Sequence, residues 1–587
     1  MIAKQLIEPK SIVVVGGSDD IHKPGGTVLR NLQDGNFKGS LYVVNPKMDE
    51  VQGIKAYRDV KDLPEVDCAI LAIAAKFCPS TVEVLAKQKN TKAFIILSAG
   101  FHEENEEGAK LERQIVETIN SVGGSLIGPN CIGVLTNHYS GVFTSPIPEL
   151  NPQGVDLISG SGATALFIMD SGMQKGIKFN SMYSVGNSAQ LGVEEILEYM
   201  DESFDPKTSS RVKLLYVESI EKPEKLLKHA SSLIRKGCRI AAVKSGGSAA
   251  GSRAASSHTG ALASSDVAVE ALFRKAGIVR CNGRDELMTV AGIFMHPEMK
   301  GRNMAVVTHA GGPAVMLTDA LSNGGMDVPH IEGEKAQELL AKLFAGSSVG
   351  NPIDFLATGT AEQLGYILDA CDQDFDNIDG MAVIFGSPGL FPVFDVYRVL
   401  DEKMKTSKKP IFPIFPSSKI VKDEIAEFVS KGRVYFPDEV LFGNALCKIY
   451  KTPAPQPEHF EMPDMDVKKI REVVNNAQNG YLSPDEIHVL LDAAGVARAK
   501  EGVSDNEEEI VKMAKEIGFP LVMKVVGPIH KSDVGGVVLN VSDEETVRRE
   551  FKRMMQIKDT YAIMLAQQLS GTQVFIGAKR DDKFGHM

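Results

Sequence analysis

Ser11-Ile12-Val13-Val14-Val15-Gly16-Gly17-Ser18 is the stretch on which the fold turns. Its β-branched residues read as a buried strand, and the paired glycines read as a tight turn leading to a helix over residues 27–32. Further strands are predicted at 41–44, 67–73 and 93–97, with a helix at 80–88. Strands alternating with helices predict a doubly wound parallel sheet, whose ligands collect at the carboxyl ends of its strands. The loops there, Gly16-Gly17-Ser18, Asn45-Pro46-Lys47, Ala74-Ala75-Lys76 and Ser98-Ala99-Gly100-Phe101, are expected to converge on one crevice.

The pattern restarts near residue 154, with a strand at 155–159, the turn Gly160-Ser161-Gly162 and a helix at 163–175. A strand at 213–217 ends at Glu218, and one at 239–243 ends at Lys244, opening a long Gly/Ser/Ala loop through residue 257. A third restart near 302 gives a strand at 304–308, the turn Gly311-Gly312-Pro313 and a helix at 314–321. Such recurrence predicts successive α/β modules of one kind. The Pro-rich stretch from Thr452 to Pro463 can hold neither a regular helix nor an interior strand, so it reads as a linker. Beyond it come helices at 483–493, 506–517 and 544–555, and strands at 519–525, 537–541, 562–567 and 574–578. The expected domains are 1–145, 146–300 and 301–452, then a linker over 453–470 and a last domain over 471–587.

Bulk properties agree with this division. A chain of 587 residues calls for about three to five domains. It has 54 Gly and no Trp, which favours many tight turns over a heavy aromatic core. The apolar run 69–75 is far shorter than the roughly 18 residues that span a bilayer, and Met1-Ile2-Ala3-Lys4 opens no signal peptide, so the expected location is the cytoplasm, with no membrane partner. With 64 Lys+Arg against 76 Asp+Glu the net charge is −12, and there is no long basic run, which argues against a nucleic-acid surface. The cysteines Cys68, Cys78, Cys131, Cys238, Cys281, Cys371 and Cys447 are scattered, form no CxxC pair and read as reduced, mostly buried thiols.

The dinucleotide fingerprint G-x-G-x-x-G is absent from Gly16-Gly17-Ser18-Asp19-Asp20-Ile21, and the second strand ends in Asn45-Pro46-Lys47 rather than in a carboxylate. Lys47 fits a phosphorylated ribose, as in NADP or the 3′-phosphate of coenzyme A; read alone it is also an ordinary surface charge. His258 lies in a run of small residues, 245–263, whose backbone can approach an anion closely. A neutral imidazole there can attack a phosphoryl group if a carboxylate fixes its tautomer, and Glu218 at a strand end is the candidate carboxylate. Ser161-Gly162 and Gly311-Gly312 each precede a helix, whose amino-terminal amides suit phosphate. Lys524 closes the apolar run Pro520-Leu521-Val522-Met523-Lys524, a placement suited to nucleotide phosphates, and His530 and Lys531 follow in a loop that is no Walker A sequence.

Taken together these segments resemble the nucleoside-diphosphate-forming acyl-CoA synthetases, the superfamily of succinyl-CoA synthetase, and most closely its fused ADP-forming acetyl-CoA synthetase type. The matching residues are Val14-Val15-Gly16-Gly17-Ser18, Val44-Asn45-Pro46-Lys47, Ser98-Ala99-Gly100-Phe101, Gly128-Pro129-Asn130-Cys131-Ile132-Gly133 and Ser257-His258-Thr259-Gly260-Ala261 in the first half. Ala310-Gly311-Gly312-Pro313, Asn351-Pro352-Ile353-Asp354 and His530-Lys531-Ser532-Asp533-Val534-Gly535-Gly536-Val537 follow in the family's order. The resemblance implies a Rossmann-like CoA-binding domain, two flavodoxin-like ligase domains and a partial ATP-grasp domain.

It also implies the site residues. CoA falls to Gly16, Gly17, Ser18, Lys47, Ser98, Gly100 and Asn130, phosphate to Ser161, Gly162, Gly311 and Gly312, and ATP or ADP to Lys524 and Lys531. His258 is the phosphorylated histidine, Glu218 its partner and His530 an onward carrier of phosphate. The implied reaction interconverts acyl-CoA, ADP and phosphate with a carboxylic acid, ATP and CoA through an acyl phosphate, in a homo-oligomer. Two positions depart from the family: Gln573 stands where Glu is usual and His309 where Asn is common. Relatives of this type continue past the residue equivalent to Met587, and the ligands of the nucleotide's Mg²⁺ are expected there. Competing readings are a CoA-binding regulatory or scaffold protein without turnover and an NADP-dependent reductase.

Overall fold

The computed structural model describes residues 2–35, 37–259, 265–387, 392–457, 461–528, 530–581 and 583–586, with backbone alone at 255–259 and 586. It divides into two compact units, residues 1–456 with 579–587, and residues 457–578.

The first sheet of the larger unit contains β1 (Ser11–Val15), β2 (Ser40–Val44), β3 (Glu50–Val51), β4 (Ile54–Tyr57), β5 (Cys68–Leu71), β6 (Ala93–Ile96) and β7 (Ser125–Ile127), in the order β3-β4-β2-β1-β5-β6-β7. All pairings are parallel except the short β3–β4 contact. Strand order reverses beside β1, so the crevice lies at the ends of β1 and β5. There Gly16 has φ +90, and a Cβ on it would sit 2.5 Å from the Ala72 carbonyl oxygen; only glycine fits this turn.

The second sheet contains β8 (Gly133–Leu135), β9 (Ser140–Val142), β10 (Leu150–Ser159), β11 (Phe179–Ser184), β12 (Val212–Val217), β13 (Arg239–Lys244) and β14 (Val279–Cys281), ordered β14-β13-β12-β10-β11-β8-β9. β10 to β14 run parallel, while β8 lies antiparallel to β11 and to β9. The β8–β9 hairpin, expected within the first domain, therefore completes the second sheet. It is tied back to the first module by the Asn31 amide, which donates to the Val142 carbonyl at 2.6 Å, and by the Tyr139 hydroxyl, which donates to the Leu6 carbonyl at 2.8 Å. One apolar cluster runs through both modules, joining Ile12, Val14 and Ile70 to Tyr139, Ile158, Tyr183 and Leu215.

The third sheet is parallel, with β15 (Met304–Thr308), β16 (Ile353–Asp354), β17 (Gly380–Ile384) and β18 (Ile411–Ile414) in the order β16-β15-β17-β18. It shares a core with the second, in which Val155 and Leu157 join Met304, Val306 and Phe412. All seven cysteines are buried and unpaired, as their scatter implies.

Residues 457–578 form a four-stranded antiparallel sheet of β19 (Glu501–Ser504), β20 (Leu521–Val526), β21 (Val537–Val541) and β22 (Ala562–Gln567), ordered β19-β22-β20-β21. Helices Glu507–Ile517 and Glu544–Met554 supply Ile510, Val511, Val547 and Phe551 to its core. Residues 574–578 form no strand: Val574, Phe575 and Ile576 are exposed, with no neighbouring strand among the described residues to pair with them. Among the described residues no helix is long and apolar enough to cross a membrane.

The small-residue run after β13 also departs from expectation. Residues 249–259 are helical, not a loop. Ser248 caps this helix, its hydroxyl accepting the Gly251 N–H at 3.0 Å, and alanines at 249, 250 and 254 are the strongest helix formers available.

Candidate active site

A cleft of about 480 Å³ opens at the carboxyl ends of the second sheet. β10 delivers Gly160, Ser161 and Gly162, β11 delivers Gly186 and Asn187, β12 delivers Val217, Glu218 and Ser219, and the segment entering β8 adds Asn130, Cys131 and Ile132. The turn after β10 is fixed by its own residues. The fully buried Ser159 hydroxyl donates to the Ser161 carbonyl at 2.7 Å and accepts the Ser161 N–H at 3.2 Å. Ser161 then caps the helix Gly162–Gln174, which thus presents its amino terminus, the positive end of its dipole, to the cleft. A Cβ on Gly162 would meet the Ile132 side chain at 2.6 Å, so glycine lets the helix end close on this wall.

Glu218 follows β12 and accepts from the Tyr216 hydroxyl at 3.4 Å. The four residues after it are held from the side by Glu194, only 5% exposed, whose Oε1 accepts the N–H groups of Glu221 at 2.7 Å and Lys222 at 3.0 Å. At another edge of the cleft, His102 Nδ1 meets Glu112 Oε1 at 2.7 Å, and the Asn187 amide donates to Glu112 at 3.2 Å and also to Glu103. Burial raises the Glu103 carboxyl, but hydrogen bonds from Asn187 and from the N–H groups of Gly100 and Phe101 outweigh it and hold the group below the ordinary range.

The structure brings together Asn130, Ser161, Gly162 and Glu218 in this cleft. His258 lies on the helix Ala249–Thr259, but its side chain falls outside the described residues. Gly311 and Gly312 begin the helix Gly311–Asn323 after a turn built like the first, in which the Thr308 hydroxyl donates to the Ala310 carbonyl at 2.8 Å and accepts its N–H at 2.9 Å; they do not line the cleft. Gly16, Gly17 and Ser18 sit at the crevice of the first sheet, with Asn45 donating to the Gly17 carbonyl at 2.9 Å and Lys47 exposed beyond it. Ser98 and Gly100 act as fasteners: the Ser98 hydroxyl donates to the Ile73 carbonyl, and the Gly100 N–H to Glu103 at 2.7 Å. Asn130, at φ 58, donates its own N–H to the Ser98 carbonyl at 2.9 Å, which links that loop to the cleft.

In the smaller unit Lys524 is half-buried on β20, His530 is exposed, and the Lys531 carbonyl accepts the Gly536 N–H at 2.8 Å to close its turn. Sequence reasoning missed His102, Asn187 and Glu194. The strand-end rule applied to β11 would have found Asn187, and His102 adjoins a loop already singled out; Glu194, on the first turn of the helix Val193–Glu202, carries no sequence signal.

The CoA binding domain family matches residues 10–137, the succinyl-CoA ligase like flavodoxin domain residues 152–294, and the ATP-grasp domain residues 473–587. The acetate–CoA ligase (ADP-forming) I of Archaeoglobus fulgidus is 32% identical over 604 residues, covering 100% of this chain and 85% of that protein. The chain belongs to the NDP-forming acyl-CoA synthetase family. Within this family, subunit alpha of acetate–CoA ligase (ADP-forming) II from Pyrococcus furiosus is 33% identical over 431 residues, 73% of this chain and 92% of the subunit. Among solved structures, dinucleotide forming acetyl-coenzyme A synthetase 1 of Ca. Korarchaeum cryptofilum, in complex with phosphate and ADP, aligns with a TM-score of 0.68 at 26% identity over 76% of this chain and 96% of that one. The CoA binding match also favours CoA over NADP as the phosphorylated ribose that Lys47 left open.

Proposed function

We propose that this synthetase interconverts acyl-CoA, ADP and phosphate with a carboxylic acid, ATP and CoA, with His258 as the phosphate carrier. The observation that carries this reading is the convergence of Glu218, the Gly162 helix terminus and Asn130 of the CoA-binding half on one cleft. A phosphate oxygen attacks the thioester carbonyl, the C–S bond breaks, and CoA leaves as a thiol after taking a proton. The acyl phosphate stays beside Ser161 and Gly162, whose helix terminus offers N–H donors to its oxygens. His258 then attacks phosphorus, the bond from phosphorus to the acyl oxygen breaks, and the carboxylate departs, while Glu218 stabilises the imidazolium that forms. Finally the phosphoryl group passes from His258, which returns to neutral imidazole, to His530, and from there to a β-phosphate oxygen of ADP, forming ATP. His530, Lys524 and Lys531 are the residues proposed to receive phosphate and nucleotide in the smaller unit.

Lys524 and Lys531 are cations that suit phosphate oxygens rather than a divalent ion. Among the described residues the one His/carboxylate group with ligand atoms in mutual reach is His102, Glu103 and Glu112, within 4.8 Å, and its carboxylates already accept N–H bonds. The enzyme is proposed to work in the cytoplasm as a homo-oligomer.

The test is to incubate the protein with labelled inorganic phosphate and acetyl-CoA. An acid-labile, base-stable label on the protein that disappears in His258→Ala is the expected result. Absence of label in the unaltered protein, or its persistence in the variant, would overturn the assignment.

A further inference from the structure

We propose that Phe143 sets which acids this enzyme accepts, by walling the place of the acyl chain and favouring short, apolar monocarboxylic acids. The proposal rests on the phosphate position read above, because an acyl phosphate carries its first carbons within a bond or two of the phosphate. Whatever side chains adjoin the Gly162 helix terminus must therefore touch the acyl chain. The structure puts Ile132 there, with its methyl 2.6 Å from where a Cβ on Gly162 would stand. Phe143 is fastened to the same spot, its N–H donating to the Ile132 carbonyl at 3.2 Å.

Accessibility then separates Phe143 from its neighbours. The other apolar side chains larger than alanine on the cleft, Leu97, Cys131, Ile132, Val193 and Val217, are all at most 6% exposed and spend their surface on the core. Phe143 is half-buried, packing against both apolar clusters of the larger unit while still reaching the cleft, so its ring is the large apolar surface left for a ligand. Charge narrows the class further. Glu194, Glu218 and Glu221 line the cleft, and among the described residues no Lys or Arg does, Lys583 pairing with Glu221 at 2.7 Å without joining the lining, so a second carboxylate at the far end of the acid would meet mostly like charge.

The experiment measures kcat/KM in the acyl-CoA-forming direction for acetate, butyrate, hexanoate and succinate, with the full chain and with Phe143→Ala and Phe143→Leu. The ratio for hexanoate over acetate is expected to rise at least about tenfold in Phe143→Ala, with Phe143→Leu between, because one methylene in an apolar pocket is worth about 10- to 200-fold. KM for CoA is expected to stay unchanged, and succinate to remain the poorest substrate throughout. An unchanged hexanoate-to-acetate ratio in a variant that melts like the parent overturns the proposal. If Phe143→Ala melts low, Phe143→Leu decides by the same ratio. A parent protein that activates some acid while the ratio stays fixed sinks this inference alone; one that activates no acid sinks the proposed function and this inference with it.

Discussion

Glu194 is the strongest place to test how the site is held. Its single oxygen Oε1 accepts two backbone N–H groups, those of Glu221 and Lys222, in the short link between Glu218 and the helix Pro223–Arg235. Hydrogen bonds to a charged group are worth about 1.5–3 kcal/mol each. Two that share one oxygen are not independent, so their removal should cost about 2–4 kcal/mol. The carboxylate is buried, so little water is at hand to replace it. Glu194→Ala should let the Glu218 link drift, and because a misplacement of about 1 Å can cost 10²-fold, kcat should fall roughly 10- to 100-fold. Glu194→Gln keeps an acceptor oxygen and loses only the charge assistance, about 1 kcal/mol, or about fivefold in rate. The assay is steady-state turnover, with the rate of acid-labile phosphate labelling measured beside it. KM for CoA should hold steady, because the Gly16 crevice lies on another sheet. Full activity in Glu194→Ala, or equal damage in Glu194→Gln and Glu194→Ala, would refute the bracing argument.

Two further outcomes concern stability. Lys213 and Asp156 form an ion pair with side chains 2% and 4% exposed, and Lys213→Met strands the carboxylate; it should cost about 3–5 kcal/mol in urea unfolding, most of it recovered in the double variant Lys213→Met with Asp156→Leu. His296 is buried between Phe412 and Phe436, and burial lowers its pKa from 6.5 to about 4. The unfolded chain therefore binds the extra proton first, and the stability present above pH 6.5 should fall by up to about 3 kcal/mol as pH drops to 4, a slope that His296→Phe should remove from unfolding curves taken across that range.

Parallel strands buried on both faces are continuous Val/Ile runs, which is why β1, β5, β6, β12 and β15 and the loops at their ends could be read directly. The same rule located Glu218, Ser161 and Gly162, whereas Asn130 came from the family resemblance alone. What escaped reading depends on partners distant in sequence. Nothing in Gly133–Leu135 says that it pairs with β11, some fifty residues later and across a module boundary. Conversely, Val574-Phe575-Ile576 has strand composition but no strand beside it among the described residues, so the propensity goes unused. In 249–259 glycine and serine composition points to a loop, and the cap at Ser248 with the alanines outweighs it. Glu194 is an ordinary helix-start carboxylate in one dimension and a brace only in three.

The β8–β9 hairpin governs how CoA modules could be exchanged between enzymes of this kind. A chimera joined at residue 145 would replace the two strands that cover β11 with those of the donor, so the edge of that sheet would depend on a pairing between parts that did not evolve together. A junction within 128–132, between the end of β7 and the start of β8, leaves the hairpin with its own sheet. The hairpin's hold on the incoming module is then modest to satisfy: Tyr139 asks only for a backbone carbonyl, as at Leu6, while Val142 asks for an amide donor. A donor module lacking asparagine at the place of Asn31 would fold yet seat poorly, so compatibility between grafted parts can be screened at a single side chain.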